Sequence, residues 1–354
     1  MRLCKQIIAV LMIGIMMLSM TGCGKGSEQG DGGNKSKNEM SEEHKTMVYK
    51  SSDIVMDGAQ GDIEAFVVKG DKIYFRTAEW REGEAEESGE AKEIRIDRMY
   101  VSNMDGSNVR EIPMQQIGDE RWIYSMSVND SGEIILGMDS YDQKTKASAY
   151  YIVKLNENGE ELSKEDITKP LKLNDENNIN KIFFDNQERL IVVSDRLVKV
   201  LDSDYKTVTE IKSENYLSVA AVTADGQIIC GMETMEGIQV QVLDVENGKW
   251  GEAFPLDIPY FSHWDSLMNG NEDYDFYYSD ENGVYGFTIA ENKGIKLMDY
   301  VASNIPTDRT FGMASLNKDL MIGRIQNEDV NTRLIQYTKV DPSEVSDKTT
   351  IIFW

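Results

Sequence analysis

Cys23 carries the most defined chemistry in the chain. The small residues Thr21 and Gly22 lead directly into it, a setting in which a thiol could receive a thioether-linked diacylglycerol. Elsewhere the reactive residue types are sparse. Only two histidines occur, His44 and His263, and neither stands with cysteines at zinc spacing. His263, beside Trp264, reads as a core residue at a strand entry rather than a base. Carboxylates are abundant enough for a glycoside-hydrolysing pair, but no spacing singles one out. There is no Gly-rich phosphate loop opening a helix and no G-x-S-x-G elbow. Asn269-Gly-Asn-Glu-Asp273 has oxygen-rich spacing suited to calcium, yet lacks the downstream Glu of an EF-hand loop. No catalytic residue, metal or cofactor is expected. Ligand binding is better provided for, because flat rings stack on sugars: Tyr260, Trp264 and Tyr277 are the candidates, within a segment that also holds Phe261, Tyr274, Phe276 and Tyr278. Packing between sheets is the competing role for these rings. Trp80 and Trp122 are further candidates of the same kind.

The residues around Cys23 place it. Arg2 and Lys5 precede an apolar run from Ile7 to Met20, the order of a signal peptide, here 1–22. The run is about 12 to 14 residues, short of the roughly 20 that span a hydrocarbon core. Met20-Thr-Gly-Cys23 resembles a bacterial lipobox, with Met20 where Leu is commoner. The resemblance implies lipidation of Cys23, with palmitate-type acyl chains, and anchorage on the outer, extracytoplasmic face of a cell membrane. Residues 24–45, rich in Gly, Ser, Asn and charge, cannot bury enough surface to fold and suit a flexible tether. Cys4 would leave with the signal, so Cys230, in the apolar stretch Gln227-Ile-Ile-Cys-Gly231, is the lone thiol of the folded part and reads as a buried hydrophobe. The formal net charge is −25, and loss of Arg2 and Lys5 takes it to about −27, a surface that repels polyanions. Nucleic-acid binding is therefore not expected.

From about residue 46 to 340, short β-type runs alternate with polar turns, which argues all-β. Anchor strands recur at Lys72–Arg76, Glu133–Gly137, Arg189–Val193, Gln227–Gly231, Asp275–Ser279 and Asp319–Gly323, roughly 38 to 61 residues apart. Turns such as Asn129-Asp-Ser-Gly132, Asp185-Asn-Gln187 and Ala224-Asp-Gly226 precede them, supplying the conformations that tight hairpins need. A strand lies upstream of most turns (Tyr124–Val128, Ile182–Phe184, Val219–Val222, Phe311–Ser315). A third follows each anchor (Arg98–Ser102, Tyr150–Lys154, Leu197–Leu201, Val240–Leu243, Val284–Thr288, Leu334–Tyr337), and a fourth follows a second turn, as at Val109–Ile112 and Thr207–Ile211. The pattern predicts a β-propeller of about six, alternatively seven, four-stranded blades. The last unit lacks a fourth strand, whereas Thr46–Met56 offers an unassigned one, so the ring is expected to be closed by the N-terminal strand. Ala78–Lys92 reads as an inserted acidic loop.

Met99-Tyr-Val-Ser-Asn-Met-Asp-Gly-Ser-Asn-Val-Arg-Glu-Ile112 resembles the blade repeat of TolB-like propellers. Tyr274–Phe287 together with Lys296–Ile305 is similar to Gram-positive, clostridial-type lipoproteins, in which such a propeller precedes an extracellular solute-binding domain of the ABC-transporter class. That resemblance implies a role beside sugar or peptide uptake. Asp341–Asp347 would then be a linker, and residues 341–354 either a tail packed on the propeller or the opening of a further domain.

Two functions of different class follow, beside a third reading of the chain as a truncated product with no function of its own. The first is a non-catalytic module binding a glycan, peptide or protein at one mouth of the ring. The second is an enzyme acting on extracellular glycan through carboxylates near the ring axis, about 5 to 10 Å apart.

Overall fold

The computed structural model describes residues 48–85, 91–114, 121–142, 145, 147–171, 179–261, 266–280, 283–299, 309–316, 319–326, 331–340 and 351–352. Cys23, the signal and tether, His263, Trp264 and the side chain of Trp122 lie outside them. The compact unit that contains the described residues begins at Thr46. Its chain opens with β1 (Val48–Ile54) and then lays down antiparallel sheets one after another. The first sheet is β2 (Asp62–Lys69), β3 (Lys72–Ala85), β4 (Ala91–Asn103) and β5 (Arg110–Ile112). The second is β6 (Arg121–Val128), β7 (Ile134–Asp142), β8 (Ala147–Leu155) and β9 (Glu161–Asp166), followed by the single turn of helix α1 (Thr168–Leu171). The third is β10 (Ile179–Phe184), β11 (Leu190–Ser194), β12 (Leu197–Leu201) and β13 (Thr207–Lys212). The fourth is β14 (Tyr216–Val222), β15 (Ile228–Thr234), β16 (Gly237–Asp244) and β17 (Lys249–Pro255). The fifth is β18 (Leu267–Asn269), β19 (Phe276–Ser279), β20 (Gly283–Thr288) and β21 (Lys293–Asp299).

The expectation of four strands in every unit holds for these five sheets and is corrected in the last. There β22 (Arg309–Leu316), β23 (Asp319–Gln326) and β24 (Asn331–Val340) are joined by β1, and β25 (Ile351–Ile352) pairs on the far side of β1, making five strands. The first strands of successive sheets touch in chain order, and β22 touches β2. The sheets therefore form a closed ring, an all-β propeller with four-stranded blades. β1 pairs with β24 from Val48↔Val340 to Ile54↔Leu334, the place the sequence pattern left for it. Gly106, in the turn after β4, packs against Val55 just past β1, as Gly159 packs against Pro113 past β5 and Gly248 against Thr209 of β13. The N-terminal strand thus meets its neighbouring sheet the way an ordinary fourth strand does.

Ile73–Ala78 of β3 and most of β7, β11, β15 and β19 are buried on both faces, and period-2 alternation divides their side chains between neighbours. Ile134 and Leu136 of β7 pack toward the first sheet, Ile135 toward the third. Cys230 of β15 packs between the third and fourth sheets with Ile191, Val193 and Leu217. Burial pushes its thiol up to about 12, the inert state expected of a core cysteine. The turns repeat one device. In 129–133, 156–160, 185–189 and 202–206 the first residue's Oδ1 accepts backbone N–H groups two and four residues on. The fourth residue has positive φ even where it is Glu188 or Tyr205 (φ 58° in each).

Candidate binding surface

In every sheet but the fifth, the pairing of the first strand with the second slips by one residue. The extra residues are Glu64, Tyr124, Asn180, Ser218 and Phe311, each four or five residues short of its strand's end. A bulge of this kind re-aims a side chain and breaks the flat ladder. Several of these strands are then tied to their neighbours by polar bonds. Ser125 Oγ donates to the Ile182 carbonyl. Asn180 Nδ2 donates to the Leu217 carbonyl at 2.7 Å and to Asp195 Oδ1 at 3.1 Å.

The first sheet departs from the others at its bulge. The residue of the second strand that faces the bulge is Gly137, Val193, Gly231 or Gly323 in four other sheets, and Arg76 here. Arg76 is buried. Its Nη1 donates to Asp97 Oδ1 at 2.8 Å and its Nη2 pairs with Glu64 Oε2 at 3.0 Å. Arg95 Nη2 reaches the same two carboxylates, Asp97 Oδ1 at 3.0 Å and Glu64 Oε2. Two guanidinium groups thus bridge two carboxylates, and the four charges cancel locally. Burial opposes the charge on Arg95, but Asp97 and then Glu64 outweigh it and raise its pKa. Asp62, at the start of β2, has its carboxyl raised by burial and then by the charge of Glu64.

Above this cluster β3 and β4 continue as a two-stranded extension. β2 reaches only to Ala78 of β3, and β5 pairs only with Met99–Val101 of β4, yet β3 and β4 stay paired out to Ala85↔Ala91. The expected loop at Ala78–Lys92 is therefore corrected: residues 78–85 and 91–92 are strand. The reason is legible afterwards in alternating pairs, because Glu79 holds Arg81 (2.7 Å) and Arg98 (2.8 Å) on one face. These guanidinium bonds also hold the Glu79 carboxyl below its usual range. The opposite face carries Trp80 across from Arg95, whose guanidinium carbon lies 5.7 Å from the ring centroid. The indole remains 54% exposed.

The sequence candidates separate. Tyr260 is 42% exposed, on the connection between the fourth and fifth sheets, whereas Tyr277 is 1% exposed. Tyr277 donates its hydroxyl to Asn271 Oδ1 at 2.7 Å and meets Tyr274 edge-on. Phe276 stacks on Phe287 at 4.7 Å and Tyr278 on Tyr285 at 4.8 Å, so Phe276 and Tyr278 fill the core between the fourth and fifth sheets. Two amide oxygens of the calcium-like stretch are engaged: Asn269 Oδ1 accepts from the Val222 N–H of the fourth sheet, and Asn271 Oδ1 accepts from the Asp273 N–H within its own turn. Among the described residues no group of three His, Cys, Asp or Glu is placed to hold a metal ion, and no described helix is long and apolar enough to cross a membrane. Sequence reading placed Trp80 near a loop and missed Glu64, Arg76, Arg95 and Asp97. Arg76 was the available signal, a charge where the other anchor strands end in Gly, Val or Ser.

No protein-family model matches the chain, and no curated protein matches it in sequence. Solved structures resemble it in shape. A luciferin-regenerating enzyme matches with TM-score 0.50 and 11% identity over 85% of this chain and 96% of its own. The Pan2 WD40 domain of Neurospora crassa gives TM-score 0.48 and 10% identity over 84% and 97%. The Dos1 propeller gives TM-score 0.47 and 11% identity over 83% and 95%. At such identities the likeness is one of fold alone.

Proposed function

We propose that this chain is a lipid-anchored protein of the outer face of a cell membrane whose propeller is a non-catalytic binding module, accessory to solute uptake. Counting the five-stranded sheet as the closing blade gives a six-bladed ring. The module reading rests on one observation: the exposed Trp80 ring stands beside a cluster, Glu64, Arg76, Arg95 and Asp97, whose charges are already matched. Carboxylates bridged by two guanidinium groups are held in place by charge-assisted bonds, their oxygens turned to Arg76 and Arg95 rather than to a leaving group. Such an arrangement positions a ligand without attacking it.

Mass spectrometry of products after incubation with oligosaccharides and peptides tests the non-catalytic part. Binding without turnover is expected, and release of shorter products overturns it. The anchor has a separate test. Intact-mass analysis of the native protein should find acylated diacylglycerol on Cys23, and Cys23→Ala should move the protein from membranes to the medium. Recovery of the unsubstituted wild-type chain in the medium contradicts the anchor.

A further inference from the structure

We infer that the face of the first sheet built on Trp80 is a subsite for an uncharged, pyranose-containing glycan. This rests on the binding-module reading and narrows its ligand. Along β3, Arg76, Ala78 and Trp80 alternate onto one face, and they stand across from Met99, Asp97 and Arg95 of β4. Main-chain pairing therefore sets the face the ring takes, and the Arg95 guanidinium lies beside it, while more than half of its surface meets solvent. A rigid indole plane held in the open accepts the flat C–H face of a pyranose through dispersion, at little cost in side-chain freedom.

The neighbouring polar groups fit the edge of the same sugar. Vicinal hydroxyls each donate and accept, so they require donors and acceptors side by side. Arg95 and Asp97 provide that pair at 3.0 Å, two residues apart on one strand, with Arg95 beside the ring. Charge settles the class of sugar. Two cations already match two anions in the cluster, so an anionic ligand gains no uncompensated cation and meets a chain of net charge −25. A cationic ligand would have to displace Arg76 or Arg95 from its carboxylates. An uncharged polyol adds its hydroxyls without breaking an ion pair.

Calorimetric titration of the full chain with cellohexaose, laminarihexaose and xylohexaose, with a hyaluronan hexasaccharide as charged counter-probe, tests this. Saturable binding of at least one uncharged hexasaccharide is expected. Trp80→Ala should weaken it about tenfold, Trp80→Phe by less, and Leu162→Ala, on the outer strand of the second sheet, should leave it unchanged. Because Trp80 is exposed, the Ala variant keeps its fold, which an unchanged melting temperature verifies. Equal affinity of Trp80→Ala and wild type overturns the site. Preference for hyaluronan, or no binding to any uncharged probe, overturns the ligand class. Appearance of shorter sugars instead overturns the non-catalytic reading, a distinct result.

Discussion

Arg76 of the first sheet and Gly231 of the fourth occupy one place in their strands, opposite the residue that follows the bulge. At Gly231 the room for a side chain is taken. A Cβ there would lie 2.4 Å from Val219 Cγ2 and 2.5 Å from the Phe261 ring. In the fourth sheet the position serves packing, closing the connection that carries Tyr260 and Phe261 down on the strand. In the first sheet the same place holds a guanidinium bonded to Glu64 and Asp97. The repeat supplies a backbone, and the sheet that departs from it supplies the chemistry.

Exchanging the two roles breaks the comparison most severely. Gly231→Arg would force a charge without a matching carboxylate pair into occupied space, and a loss of about 4 kcal/mol or more is expected in urea denaturation. A variant as stable as wild type would show that Phe261 does not close on this strand. The reciprocal change, Arg76→Gly, removes a buried cation and leaves Arg95 alone between two carboxylates. About 3 kcal/mol should be lost, with no gain from the added backbone freedom.

A smaller effect separates turn from cluster. Glu157, in the turn after β8, accepts from Lys72 Nζ and the Tyr74 hydroxyl of the first sheet, each at 2.6 Å. These bonds, Lys72 first and then Tyr74, hold its carboxyl below the ordinary 4.5. With the folded value depressed, its contribution is present above the unfolded value and is lost as the pH falls through the folded one. Wild type should therefore lose more melting temperature between about pH 5 and pH 3 than Glu157→Gln, while at neutral pH the two differ by about 1 kcal/mol or less. Parallel pH curves would remove Glu157 as a link between the first and second sheets. The smallest effect belongs to Trp80→Ala, whose stability should lie within about 0.5 kcal/mol of wild type because the ring is exposed. A large loss would make Trp80 a packing residue.

Much of the ring is legible in the chain because its determinants are local. Most of the anchor runs are buried on both faces and so read as short continuous apolar stretches, and the turns 129–133 and 185–189 before two of them display Asn or Asp where an Oδ1 caps two backbone N–H groups. All six anchors fall in the second strands β3, β7, β11, β15, β19 and β23. The partner of Thr46–Met56 could be inferred only by counting strands, and pairing of β1 with β24 follows that count. What local pattern concealed was the β3–β4 extension. Its strand residues are mostly charged, and their pairing depends on contacts across the hairpin, such as Glu79 with Arg98, that no single-strand period reveals. Tyr277 was misleading for the opposite reason. Its ring type suits ligands, but alternation in β19 turns it inward to Asn271.

The most direct test of a binding surface confined to one sheet is hydrogen exchange measured by mass spectrometry, with and without the tightest-binding uncharged hexasaccharide. Slowed exchange in Lys72–Asn103 is predicted, with the connection from Pro255 to Phe261 unchanged. Protection of that connection, with Lys72–Asn103 exchanging as before, would contradict the account.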